Sequence, residues 1–123
     1  MTGNPVGWFE IYVQDMSRAK GFYESVFKVE LKRLPVDGLQ MWSFPTDPEG
    51  KGSSGALVSM PGLPSGGNST LVYFTSEDCS IEGARVAGAG GRVQRDRMSI
   101  GEYGFVVLAF DTEGNMFGIH SLR

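Results

Sequence analysis

Trp8-Phe9-Glu10-Ile11-Tyr12-Val13-Gln14-Asp15-Met16-Ser17-Arg18-Ala19-Lys20-Gly21-Phe22-Tyr23-Glu24-Ser25-Val26-Phe27 changes its hydrophobic period part-way along. Up to Val13 the side chains alternate: Phe9, Ile11 and Val13 form an apolar face, and Trp8, Glu10 and Tyr12 a mixed one, as a strand over 6–13 requires. Beyond Asp15 the period becomes helical. Ala19, Phe22, Tyr23, Val26 and Phe27 follow the i, i+3, i+4, i+7, i+8 spacing of a buried stripe, and Asp15 stands where a helix cap belongs. A strand feeding a helix of about three turns is therefore expected.

Working outward, strand-like runs follow at 29–34, 39–44 and 55–60, separated by Pro35-Val36-Asp37-Gly38 and by the turn formers of Pro45 to Gly50. The first half reads βαβββ. Residues 61–69, rich in Pro and Gly, form a linker without a side-chain pattern. Then the order repeats: a strand at 71–76, a helix capped by Asp78 or Ser80 and ended by Gly90-Gly91, and strands at 92–94, 105–110 and 116–120. Asp15 and Asp78 lie 63 residues apart, and Asp47-Pro48-Glu49-Gly50 and Asp111-Thr112-Glu113-Gly114 lie 64 apart, which points to an internal duplication. The expected fold class is α+β: a single domain of two βαβββ modules, about 5–60 and 70–123.

At 123 residues the chain has the size of one domain, and its 41% apolar and 20% charged residues suit a globular protein with a core. The net charge of -3, with no basic run, argues against a nucleic-acid partner. No apolar stretch reaches the ~20 residues of a membrane span, and Met1-Thr2-Gly3-Asn4-Pro5 lacks the regions of a signal peptide, so a cytoplasmic protein without a membrane partner is expected. Cys79 has no second cysteine to pair with, and reads as a small buried residue near a helix start.

Trp8-Phe9-Glu10-Ile11, Asp15 and Arg18-Ala19-Lys20-Gly21-Phe22-Tyr23-Glu24-Ser25-Val26-Phe27, together with the Asp111-Thr112-Glu113-Gly114-Asn115 turn, resemble the vicinal oxygen chelate proteins: glyoxalases, bleomycin-resistance proteins and extradiol dioxygenases. The resemblance covers essentially the whole chain. It implies two modules forming a glyoxalase-like open barrel around a pocket, and a homodimer. It also implies that enzymes of the family hold a divalent metal on the first and last strands of each module. The implied ligand positions that can be assigned carry Trp8, Leu71 and Gly118, and the strand at 55–60 has no His, Asp or Glu. Indole has no lone pair for a metal, so no resident cofactor is expected.

If Phe9, Ile11 and Val13 face the helices, Trp8, Glu10 and Tyr12 face the concave side. The repeat adds Leu71, Tyr73 and Thr75, and Gly118 and His120 share a face of the last strand. With Trp42 as a further aromatic that could wall a cavity, Trp8, Glu10, Tyr12, Trp42, Tyr73 and His120 are the candidate ligand-binding residues, and Glu10 and His120 the candidate catalytic pair. Three readings follow. The first is a protein binding a small aromatic or cationic molecule without metal. The second is a lyase or isomerase using Glu10 as base and His120 as acid, with or without a metal displaced onto that pair. The third is a dimeric interaction domain with no small ligand.

Overall fold

Asp15 ends the first strand and starts the first helix. From an extended backbone its carboxylate accepts the Arg18 amide at 3.0 Å. β1 (Trp8–Tyr12) thus leads directly into α1 (Met16–Phe27), which buries Met16, Ala19, Phe22, Tyr23 and Val26. The structure, a computed structural model, describes residues 3–47, 49–50 and 52–123. Met1, Thr2, Pro48 and Lys51 lie outside the described residues, and with Pro48 goes one member of the expected turn before the first module's last strand.

The rest of the first module is β2 (Lys32–Arg33), β3 (Gln40–Ser43) and β4 (Ser54–Ser59); the second is β5 (Val72–Thr75), α2 (Cys79–Val86), β6 (Arg92–Ser99), β7 (Phe105–Phe110) and β8 (Met116–Ser121). Each module has a four-stranded sheet, in the orders β1-β4-β3-β2 and β5-β8-β7-β6, with β1 parallel to β4 and β5 parallel to β8. The two sheets are open and do not close into one hydrogen-bonded barrel. Asp78 caps α2, accepting the Ser80 amide at 3.0 Å, and Cys79 is buried at its first position.

Two elements differ from their expected extents. The strand expected at 29–34 shrinks to Lys32–Arg33, because the Leu31 amide is taken by the Glu24 carboxylate at 2.9 Å and not by a neighbouring strand. The strand expected at 92–94 runs on to Ser99. Its side chains are mostly exposed and its ladder with β7 shifts register twice, so no alternation marks it in the sequence.

One continuous core lies between the helices and both sheets. Ile11, Val13, Phe22, Tyr23 and Val26 from the first module join Val86, Val107, Ala109, Phe117 and Ile119 from the second. Aromatic rings carry it across the boundary: Phe9 meets Phe74 edge-on at 6.5 Å, Phe27 lies 4.3 Å from Phe74, and Phe22 meets Phe117 edge-on at 5.8 Å. Each such ring is worth roughly 1.5–3 kcal/mol of burial, and pairing adds about 0.5–1.5 kcal/mol. The helices cover one face of each sheet. The other faces are open.

Candidate functional site

On the open face of β1 the side chains of Trp8, Glu10 and Tyr12 are bound to one another. The Trp8 indole Nε1 donates to Glu10 Oε2 at 3.0 Å and the Tyr12 hydroxyl donates to Glu10 Oε1 at 2.9 Å. Strand geometry dictates this, since i and i+2 lie on one face and both neighbours carry a donor. The hydrogen bond to Glu10, followed by burial and the Glu10 charge, raises the Tyr12 pKa, so the phenol stays a donor. Among the described residues no cationic side chain forms an ion pair with Glu10. The result is a carboxylate fixed between two rings, with an acceptor lone pair to spare on each oxygen.

These three residues form one wall of a cleft of about 400 Å³ at the junction of the modules. The cleft is also lined by Pro64, Ser65, Gly66 and Asn68 of the linker and by Asn115 and Met116. The linker is held there by side chains. Asn68 Oδ1 accepts the Met116 amide at 2.9 Å and its Nδ2 donates to the Met116 carbonyl at 2.8 Å, as a strand neighbour would. Asn115 Oδ1 accepts the Gly66 amide at 2.7 Å, and its Nδ2 donates to the Tyr12 carbonyl at 2.9 Å. These linker residues escaped the sequence reading because both asparagines act through contacts about 50 or 100 residues away, which no local pattern records.

The Asp111-Thr112-Glu113-Gly114-Asn115 turn is the anchor beneath this wall. Asp111 accepts the amides of Glu113 and Asn115 at 2.7 and 2.9 Å and the buried Tyr23 hydroxyl at 2.6 Å. Burial, then the Asp111 charge, holds the Tyr23 pKa well above its ordinary value. Glu113 accepts the amides of Gln14 and Asp15, both at 2.9 Å, and pairs with Arg18 at 2.7 Å. A turn of the second module thereby grips the start of the first module's helix and sets the height of β1.

The other candidates are placed as follows. Trp42 pairs across the ladder with Leu57, and Leu57 with Ile11, so it shares the core-facing side of its sheet. There it packs against the core, with Lys20 Nζ 4.9 Å from its ring centroid, and it lines neither the Glu10 cleft nor the cavity around His120. Trp42, named from the sequence as a candidate ligand-binding residue, thus stands on the core side of its sheet. Tyr73 and His120 lie on the open face of the second sheet, in a separate cavity. Glu10 and His120 line different cavities of this chain.

Residues 6–119 match the family model of the glyoxalase/bleomycin resistance protein/dioxygenase superfamily. The chain belongs to this superfamily. Among solved structures it is similar to TnmS3, an antibiotic binding protein from Streptomyces, with 24% identity, a TM-score of 0.73 and 98% of each chain covered. It is similar to a glyoxylase/bleomycin resistance protein/dioxygenase domain from Frankia, with 15% identity, a TM-score of 0.75 and coverage of 99% of this chain and 100% of that one. Glyoxalase I from Zea mays matches with 19% identity and a TM-score of 0.71, over 93% of this chain and 43% of its own. These likenesses concern the fold. No curated protein sequence matches.

Within the superfamily frame, strand register supplies the ligand position that the sequence leaves unassigned. Glu10 pairs with Ala56 as Tyr73 pairs with Gly118, so Ala56 is the counterpart of Gly118. Trp8, Ala56, Leu71 and Gly118 offer no side-chain lone pair to a divalent ion. Among the described residues no three His, Cys, Asp or Glu side chains converge on a metal position elsewhere. No helix among the described residues is long and apolar enough to cross a membrane.

Proposed function

We propose that this protein binds a flat aromatic cation in the cleft over Trp8, Glu10 and Tyr12, without a metal ion and without converting it. The observation that carries the reading is the Glu10 carboxylate, held by the Trp8 indole and the Tyr12 hydroxyl and left without a cationic partner among the described residues. A preset anion between aromatic walls attracts a planar cation through charge and ring faces together, worth about 0.5–2 kcal/mol for the ring contribution. A cleft of about 400 Å³ is within the range of small-molecule sites. That the similar Streptomyces protein is described as an antibiotic binding protein supports the same class of function.

A second copy of the chain laid over the open sheet faces would enclose the cleft, and a homodimer is the assembly we propose. Apolar side chains left exposed on those faces, Trp8 at 43% and Tyr73 at 49%, support it. Light scattering on the purified protein measures the mass directly.

The binding test uses 9-aminoacridine as the planar cation in a thermal-shift titration of protein purified without chelator. A concentration-dependent rise in melting temperature is expected, unchanged by EDTA and weakened about tenfold in apparent affinity by Glu10→Gln and by Trp8→Ala. No rise across a series of planar cations would sink the reading. So would stoichiometric Ni, Zn, Mn or Fe that disappears in Glu10→Ala.

A further inference from the structure

β6 breaks its alternation where its charges are densest. Arg95 pairs with Leu108 and Met98 with Val106, so Asp96 and Arg97 stand together opposite Val107, in a β-bulge. Val107 belongs to the core, so its side of the sheet is the one that α2 covers. A regular ladder would turn Asp96 and Arg97 to opposite faces. Here both line one notch of about 280 Å³ between β6 and α2. The homodimer proposed above lies over the open sheet faces and leaves this side uncovered.

The helix side of the notch is made of short residues. Ser80, Gly83 and Ala84 line it from α2, and Gly83 comes so close to β7 that a Cβ there would stand 3.3 Å from the Val107 side chain. Arg97 lies with its guanidinium carbon 3.6 Å from the Phe105 ring centroid, a stacked arrangement that holds the plane and leaves N–H groups at its edge to bind a carboxylate. Among the described residues neither Asp96 nor Arg97 forms an ion pair. The Ser80 hydroxyl donates to Asp78 at 2.6 Å, so its oxygen serves the notch as an acceptor. A carboxylate, a guanidinium and a hydroxyl oxygen thus share a space for a molecule of a few carbon atoms. A lone anion would meet the charge of Asp96 there, and a lone cation that of Arg97. A molecule carrying both charges on neighbouring groups satisfies both.

We propose that this notch is a second small-molecule site that takes a free α-amino acid with a small side chain, its carboxylate on Arg97, its ammonium on Asp96 and Ser80, and its side chain toward Val107. The notch selects a small zwitterion where the Glu10 cleft selects a flat cation. The two share no lining residue, so their occupants do not compete.

The test is a set of NMR titrations of the full chain, at one ionic strength, with L-alanine and with its two halves: propionate, which lacks the ammonium, and ethylamine, which lacks the carboxylate. L-Alanine should shift the amide signals of Gly83, Ala84, Asp96 and Arg97 and leave the Trp8 indole N–H signal in place. Because the two charged side chains are exposed, affinity in the millimolar range is expected, with each half binding about fivefold more weakly. In Arg97→Gln, L-alanine should bind no better than ethylamine, and in Asp96→Asn no better than propionate. Because the wild-type comparison stands without the variants, a misfolded variant does not rescue the proposal. Equal affinities of L-alanine and either half in the wild type, shifts centred away from the notch, or no shift up to the solubility limit would each overturn it. Failure of 9-aminoacridine to bind would leave it untouched, since that cation reports on the other site.

Discussion

Glu113 keeps its charge where water does not reach. Its side chain is fully buried, while its partner Arg18 is half exposed. Burial by itself would raise its pKa. The hydrogen bond from Arg18, the amides of Asp15 and Gln14 and the Thr112 hydroxyl outweigh that and bring it down to about 2, from an ordinary 4.5. A carboxyl whose pKa falls on folding adds stability at pH above its unfolded value, and that stability is lost as pH drops through the folded one. Here the window runs from 4.5 down to about 2. The contribution above that window is about 2–3 kcal/mol, after allowance for solvent around Arg18. Glu113→Gln should cost about that much at neutral pH. Urea melts taken from pH 6 to 2 should show the wild type losing stability in the lower part of that range by more than the variant does. Parallel curves for the two proteins would mean that the turn is not held by this charge.

Where α2 hands over to β6, the chain passes through Gly91. A Cβ there would overlap both the Phe110 carbonyl and the Phe22 ring, so helix and strand can come this close only without a side chain. Gly91→Ala should therefore destabilise the protein by about 1–3 kcal/mol even though alanine favours ordered backbone, and its urea midpoint should fall at unchanged slope. The neighbouring Gly90 marks the end of α2 in the sequence, as Asp15 and the 19–27 stripe mark α1, because caps and one-sided burial are local signals. β6 carries no such mark. Arg95, Asp96 and Arg97 lie on exposed backbone at the edge of the sheet, where nothing enforces alternation. The candidate site divides along the same line. The shared face of Trp8, Glu10 and Tyr12 follows from a period of two, whereas the true side of Trp42 depends on which residue of β4 it opposes. The separation of Glu10 from His120 depends on how two sheets, each assembled from distant segments, are placed. Neither fact is present in any short window of residues.

The two modules repeat each other in sequence yet share one interior, and that decides how the molecule unfolds. Phe22, Tyr23 and Phe27 of α1 pack on Phe117 of the second module's last strand, and Phe27 also packs on Phe74. Arg85 of α2 donates to the Val26 carbonyl at the end of α1, at 3.0 Å. If either module opened alone, the other would expose this aromatic cluster to water, which costs several kcal/mol against a total stability of about 5–15 kcal/mol for a domain. A half-folded state therefore has no interior of its own to stabilise it. Calorimetry should give a single transition whose van't Hoff and calorimetric enthalpies agree, and tryptophan fluorescence, which reports on Trp8 and Trp42 in the first module, should melt together with the NMR signals of Val107 and Ile119 in the second. Two separated transitions would show that the modules hold independent cores.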